Sequence, residues 1–244
     1  MSVFASLVER LADLLQPLFA ASATAAAIIL FTALVRLAVH PLSRAAARGQ
    51  KAQARLAPQV AELRKKHGKN PERLQRAMLE LYRKEKTSPV AGCLPSLLQL
   101  PAFFVLYHVF SSSRIGGEPN ELLNHTLFAA PLGGRWHEAL GDGGPLGGAG
   151  LVYLGLFALV TAVAVFNYRR TKRQMAQNPM PEGAPGMGAM VKFLPLLSFG
   201  TLVTVAVVPL AAALYIVTST TWSAVERVLL YRDMPTAGAL ANPL

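Results

Sequence analysis

The sequence predicts an all-α fold: a polytopic membrane protein with a bundle of five transmembrane helices, a cytoplasmic helical hairpin and an N-terminal interfacial amphipathic helix. Three observations predict it. The 244 residues are 52% hydrophobic and only 15% charged, whereas soluble domains carry roughly a quarter charged residues. The apolar residues gather in runs approaching the ~17–20 residues that cross a bilayer as a helix. The net charge of +11 is concentrated in two of the segments that connect those runs.

Residues 1–20 open the chain. Phe4, Leu7, Val8, Leu11, Leu14, Leu15 and Leu18 recur at helical spacing, with Glu9, Arg10 and Asp13 between them. This segment lacks the basic start of a secretory signal and reads as an amphipathic helix on the membrane surface. The first span covers 22–41 and ends at His40-Pro41. The second covers 93–110, the third 150–167, the fourth 191–208 and the fifth 209–230. Pro209 and its neighbours alone separate the last two, which predicts a tight hairpin. The proline residues Pro95, Pro101 and Pro195 are tolerated where neighbouring helices satisfy the freed carbonyls.

The connecting segments set the orientation. Residues 42–88 hold thirteen Lys and Arg against Glu62, Glu72, Glu80 and Glu85, and 168–190 hold Arg169, Arg170, Lys172 and Arg173 against Glu182. The loop 111–149 has Arg114 and Arg135 against Glu118, Glu121, Glu138 and Asp142. The positive-inside rule places 42–88 and 168–190 in the cytoplasm. The N-terminus is then outside, and the tail 231–244 cytoplasmic.

Within 42–88, Leu56, Val60 and Leu63 form one apolar stripe and Leu74, Met78 and Leu81 another. His67-Gly68-Lys69-Asn70-Pro71 between them reads as a turn. Asn70 is suited to cap the second helix, with Pro71 at its first position and Glu72 in its first turn. Pro58 is expected to bend the first arm. In the outer loop, Leu122, Leu123, Leu127, Phe128 and Trp136 are expected to rest at the lipid interface, and Asp142-Gly143-Gly144-Pro145 to turn the chain. The segment 176–189 is expected to be flexible. The single cysteine, Cys93, rules out an intramolecular disulfide and reads as a buried, inert thiol.

Arg36 is the sharpest feature. It lies inside the first span, one to one and a half turns from its cytoplasmic end. A central arginine costs roughly 2.5–3.5 kcal/mol on an insertion scale. It must snorkel, pair with an acid or face water. The apolar cores of the spans read as free of Asp and Glu, so an acidic partner is not expected and a hydrated groove is. Thr32, Gln99, Ser198, Thr201, Thr204, Thr218, Ser219, Thr220 and Thr221 are candidates to line it. Each alone more often bonds its own helix or a neighbouring one.

The segment Leu81-Tyr82-Arg83-Lys84-Glu85-Lys86-Thr87-Ser88-Pro89-Val90-Ala91-Gly92-Cys93-Leu94-Pro95-Ser96-Leu97-Leu98-Gln99-Leu100-Pro101-Ala102-Phe103-Phe104 resembles the YidC/Oxa/Alb membrane protein insertases. So do Val35-Arg36 followed by His40-Pro41-Leu42, Lys192-Phe193-Leu194-Pro195, and Pro209 to Ser219. The resemblance covers about Leu18 to Tyr231. It implies a five-helix core around a polar groove that opens to cytoplasm and lipid and is closed outside. It implies that Arg36 attracts acidic or polar segments of a substrate, whose apolar helix then slides into lipid.

The partners implied are nascent membrane protein substrates and membrane lipids, with the ribosome, targeting factors and a translocation channel as further candidates. The hairpin residues Arg55, Arg64, Lys65, Lys66, Arg73, Arg76, Arg83 and Lys84 would recruit them. The localisation implied is the bacterial plasma (inner) membrane, multi-pass. The chain resembles the family's short forms, without a large outer domain or an extra N-terminal anchor. It lacks the lipid-modified N-terminal cysteine of some of them. No long basic tail is expected after Tyr231-Arg232-Asp233, which puts ribosome docking through such a tail in doubt.

Other functions find less support. The histidines His40, His67, His108, His125 and His137 are scattered, without the spacing of a metal site or a nucleophile turn. Neither an enzymatic activity nor a cofactor or metal is expected. A small transporter or channel with an intramembrane anion site is the alternative, although five unequal spans lack repeated halves. Specific RNA binding by the hairpin lacks stacking residues, since Tyr82 is the one aromatic in 42–88; a face toward anionic lipid accounts for that charge more simply.

Overall fold

The computed structural model describes residues 2–68, 70–85, 100–177 and 193–232. Among them are eight α-helices, three short 3-10 turns and four two-residue strands. Cys93, Gln99, Lys192, the segment 178–190 and most of the tail lie outside the described residues, as does the larger part of the most family-like stretch.

Helix α1 (Ser2–Phe19) packs against α2, joined to it by the turn Ala20–Ser22. Ala20 there has φ 46°, a left-handed conformation unusual for a side-chain-bearing residue. The Phe4 ring lies edge-on to Phe31 of α2, centroids 6.4 Å apart. Ala5, Val8 and Ala12 are buried, while Leu7, Leu14 and Leu18 are exposed. Part of the expected apolar stripe thus meets protein and part faces outward.

Helix α2 (Ala23–His67) is a single element of 45 residues, about 67 Å long at 1.5 Å per residue. A hydrocarbon core is only about 30 Å thick. The helix therefore does not stop at His40-Pro41, where the apolar run stops; it continues through Pro41 and Pro58. A helical proline leaves one carbonyl without its usual donor, at a local cost, and burial of Ala46, Ala47, Leu56 and Val60 on either side of Pro58 and beyond Pro41 favours continuity. Helix α3 (Pro71–Lys84) starts as its sequence predicts: the Arg73 amide donates to Asn70 Oδ1 at 3.1 Å, and Pro71 begins the first turn. Leu74, Met78 and Leu81 are half-buried on the side facing α2.

Helix α4 (Leu100–Ser111) is the described part of the second expected span. Helix α5 (Trp136–Gly141) lies in the outer loop. Helix α6 (Gly148–Gln177) includes the third span and runs ten residues past its expected end at 167. Leu194–Phe199 form a 3-10 turn leading into α7 (Gly200–Val207). The chain reverses at Val208-Pro209 into α8 (Leu210–Leu230). Leu210 to Val217 are all buried. Apolar on every side over its first eight residues, α8 is the central post, packed on α2, α4, α6 and α7.

Among the described residues, two stretches are long and apolar enough to cross a membrane: Val3–His67, which takes in α1 and α2, and Gly148–Arg173, each with a window of mean hydropathy 2.3. Large apolar side chains point outward from α2 (Leu30, Leu34, Leu37), α4 (Phe104), α7 (Val203, Val207) and α8 (Val228, Leu229). Such surfaces suit lipid rather than water.

The loop between α4 and α6 folds onto the bundle. The strands β1 (Arg114–Ile115) and β2 (Glu118–Pro119) form a hairpin turned by Gly116-Gly117, both at positive φ. The strands β3 (Thr126–Leu127) and β4 (Ala130–Pro131) form a second one. Leu122 and Leu132 are fully buried, and Leu123, Leu127 and Trp136 pack on the core; Phe128 is 77% exposed. The expectation that this whole set rests at the lipid interface is therefore corrected: all but Phe128 contribute to the cap of the bundle. Hydrogen bonds fix that cap. Asn120 Nδ2 donates to the carbonyls of Val109 (2.8 Å) and Ser112 (2.9 Å) at the end of α4. At the start of α8, the amides of Leu210 and Ala211 donate to Gly134 and Leu132 carbonyls at 2.9 Å each, satisfying donors that a helix N-terminus leaves free.

Candidate functional site: a basic cavity beneath Arg36

Arg36 projects from α2 toward α8. Its Nε donates to Ser219 Oγ at 3.0 Å, and Nη2 donates to the same oxygen. Ser219 is buried and Arg36 half-buried. The guanidinium is thus held at a fixed height between two helices by a neutral hydroxyl. The remaining donors have room, because Arg36 borders a cavity of about 320 Å³ between α2, α6 and α8.

The walls are strongly basic. Arg170 of α6 and Arg227 of α8 line the cavity with Arg36. Arg170 Nη1 donates to the Arg227 carbonyl at 3.3 Å and its guanidinium lies 5.2 Å from the Tyr231 ring centre. A cation there suits the last turn of α8, where free carbonyls gather. Arg227 Nη1 donates to Asn167 Oδ1 at 3.1 Å. A second recess shares Leu230 with the first and is bordered by Arg44, Arg48 and Lys51 of α2. The spacing of those three cations puts them on one helical face.

Glu226 corrects the reading that the apolar spans lack acids. It lies near the end of the fifth expected span, is 9% exposed and lines the same cavity. Its Oε1 lies 2.6 Å from Nδ1 of His40. His40 follows Arg36 by one turn, and Glu226 follows Ser219 by two. The pairs Arg36–Ser219 and His40–Glu226 are therefore successive ties between the same two helices. Sequence reasoning passed over Glu226 because it sits among Arg227 and Tyr231, where a charge at a span's end is ordinary. The available signal was its seven-residue spacing from Ser219, which puts both on one face of a helix.

The other candidate lining residues are dispersed. Thr32 is 1% exposed and its Oγ1 donates to its own helix at the Ile28 carbonyl, 2.7 Å away. Thr220 Oγ1 bonds the Ile216 carbonyl at 2.8 Å and Thr204 Oγ1 the Gly200 carbonyl at 3.2 Å. Thr221 Oγ1 is buried without a hydrogen-bond partner among the described residues. Ser198, Thr201 and Thr218 are half-buried and do not border the cavity; Gln99 lies outside the described residues. Ser223, which no sequence pattern singled out, lines the cavity, with Oγ donating to the Ser219 carbonyl at 3.0 Å. The hairpin residues Arg55, Arg64, Lys65, Lys66, Arg73, Arg76, Arg83 and Lys84 are all exposed. Among the described residues, no group of three or more His, Cys, Asp or Glu is arranged to hold a metal ion.

A helical bundle with outward apolar faces, a loop packed over one end and a basic cavity is consistent with an all-α membrane protein. The model of one family, the 60Kd inner membrane protein, matches residues 15–237, and the chain belongs to that family. Proteins named membrane protein insertase YidC are similar to it. That of Anaeromyxobacter sp. is 30% identical over 218 residues, 88% of this chain and 34% of the relative. That of Allorhizobium ampelinum is 33% identical over 171 residues, 70% of this chain and 26% of the relative. That of Clostridium perfringens is 43% identical over 84 residues, 34% of this chain and 35% of the relative. The chain thus spans about a third or less of the length of these relatives. Membership implies a multi-pass protein of the bacterial inner membrane, the family already suggested by the Leu81–Phe104 segment.

Proposed function

We propose that this protein is a membrane protein insertase and chaperone that admits polar segments of its substrates to the cavity beneath Arg36. The single observation that carries the reading is Arg36 itself: a guanidinium within an apolar stretch, held by Ser219 and bordering a basic cavity. A polar segment crossing hydrocarbon loses its hydration at high cost. A wet recess shortens that path, and fixed cations draw acidic groups into it.

In this reading five spans cross the membrane with the N-terminus outside and the C-terminus in the cytoplasm. The cap made by Leu122, Leu132 and Trp136 closes the outer end. The cavity opens toward the cytoplasm, and the substrate's apolar helix leaves along the outward apolar faces. The hairpin α2–α3 receives substrates; its exposed basic residues suit anionic lipid, the ribosome, targeting factors or a translocation channel.

The test is reconstitution in vesicles holding this protein alone. Protease protection of a small substrate with an acidic translocated tail is the measurement. Arg36→Ala is expected to lower insertion about tenfold, and Arg36→Lys to preserve most of it, since a cation remains. Insertion no better than in empty vesicles overturns the proposal. The three guanidiniums around one cavity favour one second reading, an anion transporter. Anion flux in the same vesicles without insertion would select it.

A further inference from the structure

Among the described residues bordering the cavity, Glu226 is the one carboxylate, against the three guanidiniums of Arg36, Arg170 and Arg227. Each guanidinium has a neutral partner: the Ser219 hydroxyl, the Arg227 carbonyl and the Asn167 amide oxygen respectively. Glu226 is turned to His40 instead, at 2.6 Å. The carboxylate and the cations therefore share one space without being consumed in each other's contacts. His40 fixes the carboxylate from the α2 side, so its position is as determined as that of Arg36.

A charge so placed acts on whatever enters. An incoming acidic side chain is attracted by the arginines and repelled by Glu226, and a basic one meets the reverse. Low local polarisability makes one unit charge count for more here than in water. We propose that Glu226 is a specificity-determining residue: it moderates the preference of the cavity for acidic over basic translocated segments. The proposal rests on the insertase reading and adds a residue to it.

The experiment uses the full chain in vesicles and two substrates identical except for one Asp or one Lys in the translocated tail. The readout is the ratio of protected Asp substrate to protected Lys substrate. Glu226→Gln keeps the shape and removes the charge, and is expected to raise that ratio roughly fivefold. Ser223→Asp adds a carboxylate one turn away on the same wall and is expected to lower it. This second variant carries the test if Glu226→Gln does not fold. Glu226→Asp is expected to leave the ratio near that of the unmodified chain.

A residue that only braces α2 against α8 would, when changed, reduce both substrates in parallel. Parallel loss, or a ratio insensitive to Glu226→Gln in a folded protein, overturns the proposal, as does a ratio insensitive to Ser223→Asp where Glu226→Gln does not fold. Failure of the unmodified protein to insert either substrate is a different outcome and strikes at the insertase reading.

Discussion

At the scale of single residues, the balance between Arg36 and its hydroxyl partner decides how the cation is presented. Ser219 accepts two donors from Arg36 and in turn, through its carbonyl, accepts the Ser223 hydroxyl. Removing the side chain by Ser219→Ala leaves a cation that still borders the cavity but has lost its fixed height. We expect insertion of an acidic-tailed substrate to fall about threefold, much less than for Arg36→Ala, and Ser219→Thr to restore it. Protease protection measures both. Arg36 was legible in the sequence because one charge inside an apolar run has few inexpensive explanations. Glu226 was not, because its meaning depends on His40, 186 positions away in the chain. Thr32 and Thr220 show the opposite case: polar residues in a span that bond their own helix, as local geometry favours.

At the scale of elements, the hairpin α2–α3 gives the plainest agreement between pattern and structure. Asn70, Pro71 and Glu72 start α3 as capping chemistry requires. Asn70→Ala is expected to destabilise α3 by about 1 kcal/mol, and Asn70→Asp by much less. Amide hydrogen exchange at Arg73 and the residues after it reports the difference, while vesicle insertion by the cavity persists. The elements misjudged from sequence share one cause, that local rules lost to packing. The first apolar run ends at His40-Pro41, and proline inside a helix is locally unfavourable, yet α2 passes through Pro41. The apolar residues of the outer loop are too short a run to have a period, so their burial against α2, α6 and α8 was not readable.

At the scale of the whole molecule, the loop cap and the central post α8 form one unit. The Gly134 carbonyl accepts from the Leu210 amide at 2.9 Å and from the Tyr153 hydroxyl at 2.7 Å, so loop, α6 and α8 meet at a single oxygen. Tyr153 is 1% exposed, and its ring lies 5.7 Å from that of Trp136. Tyr153→Phe keeps the rings and removes one hydrogen bond, for an expected loss of about 1 kcal/mol. A lower melting temperature in detergent, with the Asp-to-Lys substrate ratio unchanged, is the expected pattern. A change in that ratio would mean that the cap reaches the charge balance of the cavity. The all-α class and the family were legible from hydropathy and from one long segment; the enclosure was not, since it depends on which side of each helix meets another.

The unbroken course of α2 has a mechanical consequence. Arg36 and Val60 lie on one rod, roughly 36 Å apart along its axis. A load on the hairpin, such as a docking partner leaning on α3, has one continuous helical path to Arg36, and a displacement carried along it would shift the guanidinium against Ser219.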